Sequence, residues 1–236
     1  MKRGTTVLYQ DNEFIKSASE KKNDIVNSLL PWAKKHKRDF PWRATPTPYS
    51  ILVAEILLRR TTAQAVSKIY PNFIYKFPTI STLSGASQQE LVELIKPIGY
   101  YQRAKMLVEA AQLIRNEFNC LIPPSKEELM RIPNIGQYTA GAILSFGFAI
   151  KASMVDSNIE RIIRRVNCKS IKGKGQGGAV SKIVECYVPD KEHQLFNYGL
   201  IDLGALVCRS QHPLHDECPI KLQCDTYHKL MQDKNK

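Results

Sequence analysis

Apolar residues in this chain recur at intervals of three and four, and nowhere do they alternate for long enough to build a strand. Between residues 22 and 35, Ile25, Val26, Leu29, Leu30 and Trp32 share one helical face, and residues 62–77, 87–95 and 102–118 repeat the pattern. That periodicity limits the fold to helix packed on helix. Residues 50–58 read as a further apolar helix with Ser50 as its cap. Pro123-Pro124-Ser125 opens another, with Ser125 and Glu128 in capping-box register. The stretch at 40–49 holds three prolines and reads as a linker or a crossing between domains. At 236 residues the chain is long enough for one large or two small domains with a real core.

Charge narrows the partner. Lys and Arg number 34 against 22 Asp and Glu, a formal net charge of +12. Such an excess favours a polyanion, and nucleic acid ahead of a membrane surface. No apolar run reaches the roughly 20 residues of a spanning helix, and no apolar stretch follows the basic start. The expectation is an intracellular protein with no membrane partner. Residues 172–178, Lys-Gly-Lys-Gly-Gln-Gly-Gly, read as a basic connector and not a phosphate loop, because no Gly-Lys-Ser/Thr follows at the required spacing. In a reducing compartment the six cysteines are not expected to form disulfides. Cys208, Cys218 and Cys224 lie within seventeen residues of one another, which suggests a metal site.

Two segments carry chemistry. In residues 129–144 a helix ends, Pro133-Asn134-Ile135-Gly136 makes a turn, and a small-residue helix begins at Gln137-Tyr138-Thr139. A turn of this kind aims backbone N–H groups outward at a helix start, where the dipole favours an anion such as a DNA phosphate. The segment is therefore a helix-hairpin-helix DNA contact or an ordinary pair of packed helices. Eighteen residues beyond Tyr138 lies Asp156, in Met154-Val155-Asp156-Ser157-Asn158, which either caps the helix at 157–166 or serves a reaction. Glu55 interrupts an otherwise apolar helix face. A carboxylate there is either solvent-facing or retained for function.

The order of these motifs, Ile-Pro-x-Ile-Gly-x-Tyr-Thr-Ala and then Val-Asp, resembles the helix-hairpin-helix DNA glycosylases of the endonuclease III superfamily over residues 22–225. Pro41-Trp42-Arg43, Thr47-Pro48-Tyr49, the run from Ile51 to Thr62 and Pro97-Ile98-Gly99-Tyr100-Tyr101-Gln102-Arg103-Ala104 resemble its adenine and thymine mismatch branch. The resemblance implies an all-α fold of two helical subdomains. A six-helix barrel with the hairpin would span 46–155. Residues 1–45 and 156–236 would join into a second domain bearing the cysteines, with double-stranded DNA across the cleft and the protein acting as a monomer at the nucleoid. It also implies that Asp156 stabilises an oxocarbenium-like sugar, that Glu55 stands where adenine glycosylases keep the acid that protonates the leaving purine, and that Tyr138 lines the base pocket. Bifunctional members carry a lysine at position 138. A phenol forms no Schiff base, so a monofunctional enzyme using water is expected. Arg59, Arg60, Pro133, Asn134, Ile135, Gly136, Gln137 and Thr139 are the expected DNA contacts.

Arg59-Arg60-Thr61-Thr62 and Val-Asp-Ser-Asn resemble the small thymine-DNA mismatch glycosylases. Adenine glycosylases have Gln-Gln-Thr-Gln at the first site and a long C-terminal reader of oxidised guanine, whereas this sequence stops twelve residues after Cys224. The expected substrate is thymine or uracil opposite guanine. Adenine opposite guanine or oxidised guanine is the alternative, and a non-catalytic DNA-binding module is the rival from another class. Family members often hold a [4Fe–4S] cluster on Cys-x6-Cys-x2-Cys-x5-Cys. Here Cys208, Cys218 and Cys224 keep the spacing and His215 takes the second place. The options are a cluster with or without His215, zinc on three Cys and one His, or no metal.

Overall fold

The computed structural model describes residues 3–171 and 177–234, with side chains described from residue 14 onward. The basic loop with Lys172 and Lys174 lies outside the described residues, apart from Gly177 and Gly178, where a helix begins. Among the described residues there are thirteen α-helices and no strand. The fold is all-α. Two compact units form, one from residues 39–150 and one from residues 1–38 with 151–236. The divisions at 38/39 and 150/151 lie several residues before the expected ones at 45/46 and 155/156.

The unit at 39–150 contains α2 (Pro41–Ala44), α3 (Pro48–Leu57), α4 (Ala63–Lys76), α5 (Ile80–Ser84), α6 (Gln88–Ile95), α7 (Gln102–Phe118), α8 (Lys126–Leu129) and α9 (Gln137–Ala142). A π-helical turn, Ile143–Gly147, follows α9 directly. Its core is built on α3, whose Ile51, Leu52, Val53, Ile56 and Leu57 are all buried. Each such side chain contributes about 1.5–3 kcal/mol. Leu107, Ala111 and Ile114 of α7, Leu83 of α5 and Leu91 of α6 close the same core.

The proline-rich stretch is more ordered than expected. Pro41 and Pro48 stand in the first turns of α2 and α3, where a missing N–H costs nothing and the fixed φ favours a helix. The cap of α3 is Thr47, not Ser50. Thr47 Oγ1 accepts from Ser50 N–H at 3.1 Å while Ser50 Oγ accepts from Thr47 N–H at 2.8 Å, a reciprocal capping box. At Ser125 only half the expected box forms. Its hydroxyl accepts from Glu128 N–H but donates to Glu127 Oε2 at 3.0 Å.

The other unit holds α1 (Arg3–His36), α10 (Ser157–Val166), α11 (Gly177–Tyr187), α12 (His193–Leu206) and α13 (Asp225–Lys234). Helix α1 begins well before residue 22. Between residues 14 and 24 only Ala18 is buried, and Lys21 forms an ion pair with Asp225 at 2.7 Å, so the apolar periodicity is invisible there. Further along, Ile25, Leu29 and Ala33 face α12, where Gly199 permits the approach. A Cβ at that glycine would lie 2.9 Å from the Ala33 methyl.

Candidate functional site

In the 39–150 unit Glu55 lies half-buried on α3 between the buried Ala54 and Ile56. The helix that carries it is fixed at its start by more than the capping box. Tyr70 donates its hydroxyl to Ser50 O at 2.9 Å and Tyr49 to Phe77 O at 2.6 Å. Burial pushes Tyr70 up to about 12 and Tyr49 higher still, so both phenols remain neutral donors at any physiological pH. Gly147 packs directly on the start of α3. A Cβ there would lie 2.7 Å from Pro48 Cα and 2.9 Å from Pro48 N, so the hairpin's second helix and α3 form one block.

The hairpin runs from α8 through Arg131–Gly136 into α9. Ile132 and Ile135 anchor it in the core, and Asn134 turns the chain with φ 66°. Gly136 stands at the start of α9 with no side-chain cap, and Gly136 and Gln137 are exposed. The uncapped N–H groups of this turn suit a phosphate oxygen. Pro133 and Asn134 are half-buried, and Asn134 Nδ2 donates to Glu109 Oε2 at 3.1 Å. Ile135 and Thr139 point their side chains inward, so these two positions can offer DNA only backbone groups. Tyr138 lies half-buried in the first turn of α9.

Arg59 and Arg60, adjacent in sequence, have different surroundings. Arg59 turns inward and donates through Nη2 to the Asn134 carbonyl, with Nη1 3.5 Å from the Met106 sulfur. Arg60 is exposed, has a left-handed φ of 56° and holds its guanidinium 4.7 Å from the centre of the Tyr100 ring.

Asp156 belongs to the other unit and caps α10. Its Oδ1 accepts from the N–H groups of Asn158 at 3.0 Å and Ile159 at 2.7 Å, while Oδ2 accepts from Asn158 Nδ2 at 3.0 Å. Asn158 Oδ1 in turn accepts from Arg161 Nη1 at 3.0 Å, and Arg161 is held by the carbonyls of Gly204 and Cys208, both at 2.8 Å. The capping role is thus realised. It also fixes the carboxylate, and a fixed anion is what electrostatic stabilisation of a developing cation requires.

The pattern of the HhH-GPD superfamily of base excision DNA repair proteins matches residues 53–183. The chain belongs to that superfamily. It is 36% identical to an adenine DNA glycosylase of Buchnera aphidicola over 211 residues, covering 88% of this chain but 60% of that protein. It is 34% identical to the thymine/uracil-DNA glycosylase of Methanothermobacter thermautotrophicus over 215 residues, covering 90% of this chain and 97% of the relative. Its fold superposes on a thermostable thymine-DNA glycosylase with a TM-score of 0.84 at 34% identity, over 89% of this chain and 98% of that one. A trapped endonuclease III–DNA covalent intermediate matches with a TM-score of 0.75 at 25% identity, over 89% of this chain and 98% of that one.

Cys208, His215, Cys218 and Cys224 all line one cavity, together with apolar side chains from α10 and α12 such as Ile162 and Leu203. Burial pushes Cys218 up to about 11 and also raises Cys224, and in both cases the neighbouring Cys208 adds to the effect. Arg165 Nη1 lies 3.3 Å from Cys208 Sγ, and its backbone carbonyl accepts from the Cys224 thiol at 3.4 Å. Among the described residues no three His, Cys, Asp or Glu side chains stand close enough to hold a single ion. Three thiols and an imidazole around one cavity form a donor set that suits either iron–sulfur or zinc ligation. Among the described residues no helix is long and apolar enough to cross a membrane.

Arg103, which stands in the Pro97–Ala104 motif, and Arg161 and Arg165 have structural roles that the motifs do not assign. Arg103 had a readable signal, because it shares a helical stripe with Leu107, Ala111 and Ile114, and an arginine in an apolar stripe needs an explanation. Arg161 and Arg165 had none, since most of their partners are backbone carbonyls far along the chain.

Proposed function

We propose that the chain is a monofunctional DNA glycosylase that hydrolyses the N-glycosidic bond of thymine or uracil mispaired with guanine in duplex DNA, acting as an intracellular monomer. The observation that carries this reading is the match to a thymine/uracil-DNA glycosylase along 97% of that protein's length. The hairpin binds phosphate through its turn, Arg60 faces the duplex, and the target base leaves the stack, at least cost where it is mispaired. Asp156 holds a negative charge near the sugar as the bond breaks. Glu55 orients or protonates the leaving base. Tyr138 replaces the amine that a lyase needs, so water is the nucleophile. Cys208, His215, Cys218 and Cys224 would hold a [4Fe–4S] cluster, which would act as a cross-link for the loop and take no part in bond cleavage.

Adenine is the second reading, supported by Glu55 on α3 and the 36% identity to an adenine DNA glycosylase. A base-release assay on G·T, G·U, A·G and A·oxidised-G duplexes decides between them. Release of thymine and uracil is expected. Release of adenine alone overturns the first reading, and a borohydride-trapped complex overturns the monofunctional assignment.

A further inference from the structure

Among the turns of the 39–150 unit with residues in the left-handed region, three are joined by side-chain contacts: those of Arg60 at φ 56°, of Gly99 at 64° with Tyr100 at 47°, and of Asn134 at 66°. Non-glycine residues hold such angles only where their surroundings fix them. One side chain does most of the fixing. Arg103 on α7 is fully buried, and among the described residues no carboxylate pairs with it. Its Nη1 donates to Gly99 O, with the carbonyls of Ile98 and Tyr100 each at 3.4 Å, and its Nη2 donates to Arg59 O. The Arg59 carbonyl belongs to the peptide plane that leads into Arg60, so this bond sets the direction in which Arg60 leaves the core. Arg59 continues the chain of contacts to the Asn134 carbonyl in the hairpin. The Tyr100 ring lies within 4.7 Å of the Arg60 guanidinium and 5.2 Å of that of Arg103.

The geometry points to Arg103 as a positioning residue that locks the Arg60 turn, the Tyr100 turn and the hairpin into one DNA-facing unit. Burying a guanidinium without a carboxylate is costly, and here the planar fork serves two separate turns with one nitrogen each, Nη1 on Gly99 O and Nη2 on Arg59 O. Arg103 touches no DNA; it acts through Arg60 and Tyr100. The inference rests on the reading that the Arg60 turn faces the duplex.

The test uses the full chain with Arg103→Lys, Arg60→Ala and the double substitution, on G·T and G·U duplexes. Lysine keeps the charge but offers a single nitrogen where the two carbonyls are served by separate ones. Arg103→Lys is expected to slow single-turnover base release roughly 100-fold, the scale of a misplaced contact. The salt dependence of duplex binding should not change, while Arg60→Ala lowers that slope by about 1. On the Arg60→Ala background the Arg103→Lys loss should shrink to a few-fold, because both remove one function. If Arg103→Lys does not fold, Arg59→Lys, which weakens the same chain of contacts at its hairpin end, is expected to show the same coupling. An impaired Arg60→Ala chain with an additive Arg103 or Arg59 loss overturns the proposal alone. An Arg60→Ala chain with unchanged salt slope and base release overturns the DNA-facing reading and the proposal with it.

Discussion

Asp156→Asn separates two roles that one carboxylate combines. Asparagine is as good a helix cap as aspartate, so a capping role alone predicts almost no loss of stability. The hydrogen bonds here predict otherwise. Asp156 accepts three N–H groups, two from the backbone on Oδ1 and one from Asn158 Nδ2 on Oδ2. An asparagine that keeps its oxygen on the backbone must turn its NH2 toward the Asn158 NH2. Flipping Asn158 relieves that clash but turns its NH2 onto Arg161, which now donates to Asn158 Oδ1 at 3.0 Å. No arrangement satisfies all three side chains. The loss is one charge-assisted bond plus a donor facing a donor, about 1–3 kcal/mol. For a chain of this size that is a fall in Tm of about 2–12 °C.

Asp156→Ser keeps a cap and removes the second oxygen, so it should cost only about 1 kcal/mol. Both variants lose the fixed negative charge, and both should slow base release by about 100-fold or more. Thermal melting by circular dichroism and single-turnover base release on a G·U duplex measure the two effects separately. Serine more stable than asparagine, with both nearly inactive, is the expected pattern. An Asp156→Asn chain that melts like the parent refutes the argument from hydrogen-bond direction, and one that releases base at the parental rate refutes the electrostatic role.

Tyr138→Lys places an amine in the first turn of α9, and it should give a borohydride-trapped DNA complex where the parent gives none on the same duplex. Gly147→Ala drives a methyl into the Pro48 backbone at 2.7 Å, with no flexible side chain to yield, and should destabilise the 39–150 unit by about 1–3 kcal/mol in a melting experiment. Tyr70 has a folded pKa of about 12 against 10.0 for the free group. Its contribution is complete below pH 10 and is lost between pH 10 and 12, at about 2–3 kcal/mol. Tyr70→Phe should therefore flatten the alkaline fall in stability, followed by melting between pH 9 and 12.

Local features were legible in the sequence where the chain itself supplies the partner. Helix α7 was bounded from periodicity, α4 and α6 start next to Thr62 and Ser87 as their caps, and the hairpin turn was marked by Pro133 and Gly136. The readings that changed concern residues whose partners are distant or whose propensity admits two outcomes. Proline breaks a helix interior but starts a helix well, and only the observed Thr47–Ser50 box shows that Pro48 does the second. Arg59 and Arg60 are identical in sequence terms and differ because one finds the Asn134 carbonyl 75 residues away. Arg103 shows why such positions are hard to read. Its hydrogen bonds are all to backbone carbonyls, which every residue has, so no partner motif announces them. What the sequence does show is a cation in an apolar stripe. A buried charge with no carboxylate beside it can be tolerated only if several backbone dipoles converge on it, and dipoles converge where turns meet. On the reading that the Arg60 turn faces the duplex, the turns that meet at Arg103 are also those that contact DNA. An arginine in the apolar stripe of a helix following a Gly-Tyr-Tyr turn is therefore a signal for the turns that surround it, more than for the helix that carries it.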